Sequence, residues 1–110
     1  MTPDLLAAVA ERFKVLGEPT RLQILQLLRR GELTVTELVE TTGLKQANVS
    51  KHLQLLLAHG LVLRRKEGLH AWYRLASQDV FTLCDIMCGS LQRDLAARRN
   101  VLADAQSSSS

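Results

Sequence analysis

Three observations predict a small, mainly α domain carrying one β-hairpin. Apolar residues recur at helical spacing over most of the 110 residues. Two short helical segments meet at a tight turn containing Gly43. A single pair of strand-like runs flanks Glu67-Gly68. Together they give about five helices and a two-stranded hairpin. At 12.2 kDa, with 46% hydrophobic and 23% charged residues, the chain has the balance of one ordinary soluble domain with one core. A domain of this size leaves much of its surface exposed even when folded, so a partner subunit is a natural way to bury more of it.

Asp4 to Leu16 places Leu5, Val9, Phe13 and Leu16 at helical spacing and stops at Gly17. Pro19 suits a first helical turn, and Glu18 adds negative charge near that helix's positive end. Leu22, Ile24, Leu25, Leu27 and Leu28 form a wide apolar stripe, closed by Arg29, Arg30 and Gly31, which marks a buried central helix. Thr34 to Glu37 reads as a Thr-x-x-Glu capping box, opening a short helix with Leu38 and Val39 that ends at Gly43. A second helix runs from about Lys45 to His59. This pair is the helix-turn-helix pattern, whose second member enters a major groove.

Leu61 to Lys66 and His70 to Leu75 are strand-like, with Gly68 where the turn needs positive φ. A basic hairpin directly after a recognition-type helix is a wing, so the predicted fold is a winged helix-turn-helix. From Asp79 to about Arg99 the helical period resumes, with Val80, Leu83, Cys84, Met87, Cys88, Leu91 and Leu95 on one face. Residues 1–106 make one domain, and 107–110 are expected to form a disordered tail. There is no internal repeat.

The net charge of +3 and pI near 9.2 conceal a segregation. Residues 1–44 hold five Lys/Arg against six Asp/Glu, and residues 75–110 hold three against four. Residues 45–74 hold Lys45, Lys51, Arg64, Arg65, Lys66 and Arg74 against Glu67 alone, a local charge of +5. Such a block points to a polyanion, either nucleic acid or an anionic membrane surface, with a plain solvated face as the alternative. It is not an amphipathic helix with aromatic anchors, which disfavours the membrane. Neither a signal peptide nor a spanning segment is evident, so the expected location is the cytoplasm. Two cysteines do not make a disulfide framework. No nucleophile stands at a useful spacing from a base and no glycine-rich phosphate loop follows a strand, so an enzyme is not expected.

With these motifs in place, the chain resembles the ArsR/SmtB family of bacterial winged helix-turn-helix repressors over about residues 5–98. The resemblance is carried by Leu16-Gly17-Glu18-Pro19-Thr20-Arg21-Leu22 with Ile24-Leu25, by Glu37-Leu38, and by Gln46-Ala47-Asn48-Val49-Ser50-Lys51-His52-Leu53. Leu56, Gly60-Leu61-Val62, Gly68 and Tyr73-Arg74-Leu75 complete it. It implies a DNA-binding transcriptional repressor that needs no cofactor, and a homodimer formed through the first and last helices.

In the helix from Lys45 to His59, Ala47, Val49, Leu53 and Leu56 can supply packing, leaving Gln46, Asn48, Ser50, Lys51 and His52 outside. Gln and Asn amides match adenine edges, and Ser reaches bases or phosphates. Lys45, Lys51 and His52 suit phosphate contacts. In the wing, Arg64, Arg65, Lys66 and His70 can grip the backbone or enter the minor groove. Alternation turns Arg64 and Lys66 one way and Arg65 the other. Trp72 and Tyr73 are expected to pack and hydrogen-bond under the wing. A two-fold dimer predicts a palindromic operator in double-stranded DNA with half-sites about one helical turn apart. A rival reading, a winged-helix protein-interaction module, calls for apolar anchors on the same helix face.

Cys84 and Cys88 lie four apart on one helix face, with β-carbons about 5–6 Å apart, too far for an undistorted disulfide. Two thiolates at that spacing can share As(III), Sb(III), Cd or Zn, or carry a persulfide, with any third ligand from elsewhere. The alternative is that both are small packing residues, in a regulator without cysteine sensing. The arsenite and cadmium sensors that this chain resembles carry cysteines where Thr34 and Thr36 stand. The zinc sensors carry histidine where Phe81 follows Asp79. Neither of those sites is present in this sequence.

Overall fold

A computed structural model describes residues 1–108, with side chains to residue 102. The chain divides into two compact units, one from Met1 to Gln78 and one from Asp79 onward. The first holds α1 (Pro3–Leu16), α2 (Pro19–Leu28), β1 (Leu33–Thr34), α3 (Val35–Thr42), α4 (Gln46–Ala58), β2 (Val62–Glu67) and β3 (His70–Leu75). The second is a single helix, α5 (Asp79–Ser108).

The starts of α1, α2 and α3 follow side-chain capping. Thr2 Oγ1 accepts from the Leu5 N–H at 3.2 Å, ahead of Pro3. Glu18 Oε2 accepts from the Arg21 N–H at 2.8 Å, ahead of Pro19. Thr34 is the residue before α3: its Oγ1 accepts from the Glu37 N–H at 3.2 Å and donates to Glu37 Oε1 at 3.2 Å. The threonine half of the expected capping box is therefore formed, while the Glu37 carboxylate accepts from the threonine hydroxyl and not, as the box calls for, from the Thr34 N–H. α3 ends at Gly43, whose φ of 72° is left-handed, and this single residue turns the chain into α4.

The core of this unit is built from Ile24, Leu25 and Leu28 of α2, Leu38 of α3, Val49, Leu53 and Leu56 of α4, and Val62, Tyr73 and Leu75 of the sheet. Each fully buried leucine or isoleucine side chain contributes roughly 1.5–3 kcal/mol of transfer free energy. α2 is the buried central helix that its sequence suggests, although Leu22 and Leu27 are only half-buried. α1 behaves differently. Leu5, Leu6 and Phe13 are exposed, and Val15 is its buried residue.

The strands form one antiparallel sheet in the order β1-β3-β2. Val62 pairs with Leu75, Arg64 with Tyr73, Arg65 with Trp72 and Glu67 with His70, leaving Gly68 and Leu69 as a two-residue turn. Gly68 has φ 62° and Leu69 does not have positive φ, which fits a type II′ hairpin turn. The two-stranded wing is thus present, and a third strand joins its root: Leu33 pairs with Tyr73 and Thr34 with Trp72. A two-residue strand has no periodicity to read in sequence.

In the second unit, Leu83, Ile86, Met87, Leu91, Leu95, Val101 and Leu102 are all exposed. α5 extends to Ser108, past the expected end near Arg99, because no glycine or proline interrupts the helix-forming run beyond it. Of the tail expected over 107–110, the backbone of the first two residues continues α5 and the last two lie outside the described residues. No helix among the described residues is long and apolar enough to cross a membrane.

Candidate nucleic-acid interface

The geometry of α4 follows from the burial of Val49, Leu53 and Leu56, spaced at i, i+4 and i+7. The opposite face carries Ala47, Asn48, Lys51 and Gln54, all exposed, and Gln46 is exposed at the first turn. Ser50 and His52 are half-buried on the flanks. Two sequence expectations change here. Ala47, expected to pack, is exposed near the start of α4, because it lies on the far side of the helix from Leu53. A methyl group in that position suits the thymine methyl in a major groove. Helical-wheel geometry alone carries that signal.

His52 is the second change. It is turned partly inward, with Nδ1 3.5 Å from an Nη of Arg21, while Arg21 Nε donates to the Val15 carbonyl at 2.6 Å. Arginine only donates, so Nδ1 accepts in this contact whenever the ring is neutral. His52 therefore ties α4 to the α1–α2 junction as well as flanking the exposed face. Glu18 lies in the same cluster. The Arg21 N–H bond holds its carboxyl below the usual range; burial opposes this, and the Thr20 N–H and the charges of His52 and Arg21 reinforce it.

Lys45 precedes α4 in extended conformation and makes no side-chain cap. The Lys45 carbonyl accepts from the Asn48 N–H at 3.0 Å and the Val49 N–H at 3.1 Å, so within the first turn it is the Gln46 and Ala47 N–H groups that its side chain leaves to an external acceptor. Lys45 and Lys51 are exposed, and neither makes an ion pair among the described residues.

In the wing, the pairing register settles which cations share a face. Arg64 and Lys66 lie on the face that continues from Val62, opposite Tyr73 and Ala71, and they make no ion pair among the described residues. Arg65 lies on the other face, opposite Trp72. Its Nε donates to Glu32 Oε2 at 3.1 Å, an Nη donates to Glu67 Oε2, and the guanidinium stands 5.8 Å from the Trp72 ring centroid. Those two carboxylates, Glu67 first, raise its pKa further. The expected division of Arg64 and Lys66 from Arg65 is present, but Arg65 is already engaged. His70 is exposed beside the turn. Tyr73 is buried and Trp72 half-buried, as packing residues under the wing should be.

Cys84 is half-buried and Cys88 exposed on α5, and neither forms a disulfide. No group of three or more His, Cys, Asp or Glu residues among the described residues is placed to hold a metal ion.

Comparison with known proteins agrees with the winged helix-turn-helix fold. The profile of the family described as "Bacterial regulatory protein, arsR family" matches residues 18–63. HTH-type transcriptional regulator Rv0081 of Mycobacterium tuberculosis is 35% identical over 102 residues, which cover 92% of this chain and 90% of that protein. The chain belongs to the ArsR family. As a member of a family of transcriptional regulators, this ArsR-family protein is a regulator and not an enzyme. It superposes on the crystal structure of Rv0081 with a TM-score of 0.78 at 34% identity, covering 89% of this chain and 98% of that one. A solution structure from Mycobacterium bovis, the homodimeric winged helix-turn-helix DNA-binding domain of Mb0332, matches with a TM-score of 0.73 at 38% identity, covering 81% and 82%. Among other relatives, Rv0324 of M. tuberculosis is 39% identical over 95 residues, 84% of this chain and 42% of that regulator. The probable mercury resistance operon repressor of Streptomyces lividans is 40% identical over 74 residues, 67% of this chain and 59% of that protein. This ArsR-family chain therefore spans between about two fifths and nine tenths of the length of these relatives.

Proposed function

We propose that this regulator is a cytoplasmic repressor that binds a palindromic operator as a homodimer and releases it when a thiophilic inducer engages Cys84 and Cys88. The observation that carries the DNA reading is the polar outer face of α4, with Gln46, Asn48 and Lys51 exposed beside a wing whose Arg64 and Lys66 make no ion pair among the described residues. A protein-docking helix calls instead for apolar anchors on that face. The dimer reading rests on apolar residues left uncovered in one chain, Leu5, Leu6 and Phe13 on α1 and, separately, Leu83, Met87, Leu91 and Leu95 on α5. The homodimeric Mb0332 domain supports it by analogy.

The inducer reading rests on two thiols one helical turn apart, at least one of them open to solvent. They suit As(III), Sb(III), Cd or Zn, or a reactive sulfur donor, with a further ligand from the partner subunit. The mercury-resistance relative is a precedent for a soft-metal operon. To act, the inducer must bind the weakly binding conformation better than the DNA-bound one. The test is a gel shift on DNA selected from random sequence by the wild-type chain, with arsenite, antimonite, cadmium, zinc and persulfide donors added in turn. We expect one of them to release the wild type and to leave the Cys84→Ser, Cys88→Ser protein bound. Equal release of both proteins removes the cysteine assignment and leaves the repressor; no shift at all removes the repressor.

A further inference from the structure

We infer that Arg65 is a positioning residue that clamps the wing to the entrance of the helix-turn-helix, and that it is not among the cations that meet DNA. The inference rests on the DNA-binding reading above and refines it. By its place in sequence Arg65 is one of three consecutive basic residues, Arg64, Arg65 and Lys66, and charge alone treats them alike. The sheet register separates them. Arg65 sits on β2 opposite Trp72 on β3, and Trp72 in turn is opposite Thr34 on β1. The three residues line one face of the sheet, and Glu32, two residues before Thr34, continues that face by strand alternation.

Arg65 reaches across this row. Its guanidinium stands over Trp72, and its Nε donates to Glu32 at 3.1 Å, two strand spacings away, while an Nη holds Glu67 on its own strand. The contact therefore spans all three strands, from the wing's outer strand to the residue that leads into β1. Thr34, at the end of β1, is the cap of α3, the first helix of the helix-turn-helix. A planar fork with two carboxylate partners and an aromatic face is a directional arrangement that lysine does not reproduce. With two of its N–H groups donating to glutamates, Arg65 adds no net positive charge for a phosphate to meet. The hairpin otherwise joins the unit at its root, so this clamp fixes the angle at which Arg64 and Lys66 are presented.

Two readouts test it on the full chain. The first uses the free protein: hydrogen exchange of the β2–β3 amides in Arg65→Gln, Arg65→Lys and Glu32→Gln. All three are expected to exchange faster than wild type, Glu32→Gln and Arg65→Gln by similar factors, and the double variant no faster than either alone. Wild-type exchange in all of them overturns the clamp, whatever the protein binds. The second uses duplex DNA selected from random sequence by the wild-type chain, titrated by fluorescence anisotropy at several salt concentrations. Arg65→Gln and Glu32→Gln are each expected to weaken binding about twofold to fivefold, the factor that an exposed ion pair carries. The salt slope should stay at the wild-type value, whereas Lys66→Gln makes it shallower by about 0.9 per lost phosphate contact. A shallower slope in Arg65→Gln, or unchanged or tighter binding in Glu32→Gln, makes Arg65 a phosphate contact and overturns the inference. If the wild type itself shows no salt-dependent binding, the DNA reading fails and the exchange result alone decides the clamp.

Discussion

Replacing Lys66 with glutamine tests how this protein holds DNA, because the structure supplies the number of charges involved. In the basic block, Lys45, Lys51, Arg64 and Lys66 are exposed and unpaired among the described residues, while Arg65 is engaged by two glutamates. Arg74 is opposite Leu63, on the face of Arg65 rather than that of Lys66. Four cations in each protomer make about eight in a two-fold complex. At about 0.9 counterions released per neutralised phosphate, log affinity should fall against log salt with a slope near about −7. Between about 50 and 200 mM salt that is a loss of roughly 10⁴ in affinity. Lys66→Gln removes one charge from each protomer and should make the slope shallower by about 1.8, with a weakening that is uniform across DNA sequences. Fluorescence anisotropy on a selected operator and on a scrambled duplex reads both quantities. A wild-type slope near zero, or one that Lys66→Gln leaves unaltered, refutes the assignment of these side chains to phosphates.

Other expectations concern the frame that carries the interface. Leu53→Ala removes a fully buried side chain at the centre of α4 and should cost about 2–5 kcal/mol in urea denaturation, whereas Leu69→Ser, at the exposed turn, should stay within about 0.5 kcal/mol. Gly43→Ala should destabilise by about 1 kcal/mol: a methyl there meets nothing within 4 Å, so the cost is the left-handed backbone alone, and Gly43→Asn should recover part of it. Glu18 titrates below the usual carboxylate range in the folded chain, so its contribution to stability is full above the ordinary glutamate pKa and fades as pH falls through the lowered value. Glu18→Gln should therefore flatten the acid side of the stability profile around pH 4, and an unchanged profile counts against the cap.

The parts of this structure that sequence reveals are those written in periodicity, caps and turns. The Leu53 stripe, the Thr34 and Glu37 pair, Gly43 and Gly68 each declare a local geometry, and the helix-turn-helix and wing assemble from them. What stayed hidden depends on which way a residue is turned. Ala47 is apolar yet outward, and only its place on the helical wheel across from Val49 gives its face away. His52 is polar and near the reading face, yet Arg21, thirty-one positions earlier, draws its ring inward. Arg65 is indistinguishable from its neighbours until strand register places Glu32 and Trp72 around it. β1 escapes because two residues cannot alternate visibly, and Thr34 is also spoken for as a helix cap. These are long-range facts, fixed by packing and not by local propensity.

The bare start of α4 has a consequence for how recognition is energised. α1, α2 and α3 each carry a side-chain acceptor, in Thr2, Glu18 and Thr34, while the Lys45 side chain provides none for α4 and its carbonyl takes only the Asn48 and Val49 N–H groups. An uncapped first turn frays more readily than a capped one. On the DNA-binding reading proposed above, a phosphate oxygen is an acceptor of the same kind and would supply the missing cap. Away from DNA, the end of the helix that bears Gln46 and Ala47 would then stay unfinished. Against DNA it would be completed by the molecule it reads, and the order gained in its first turn would add to binding.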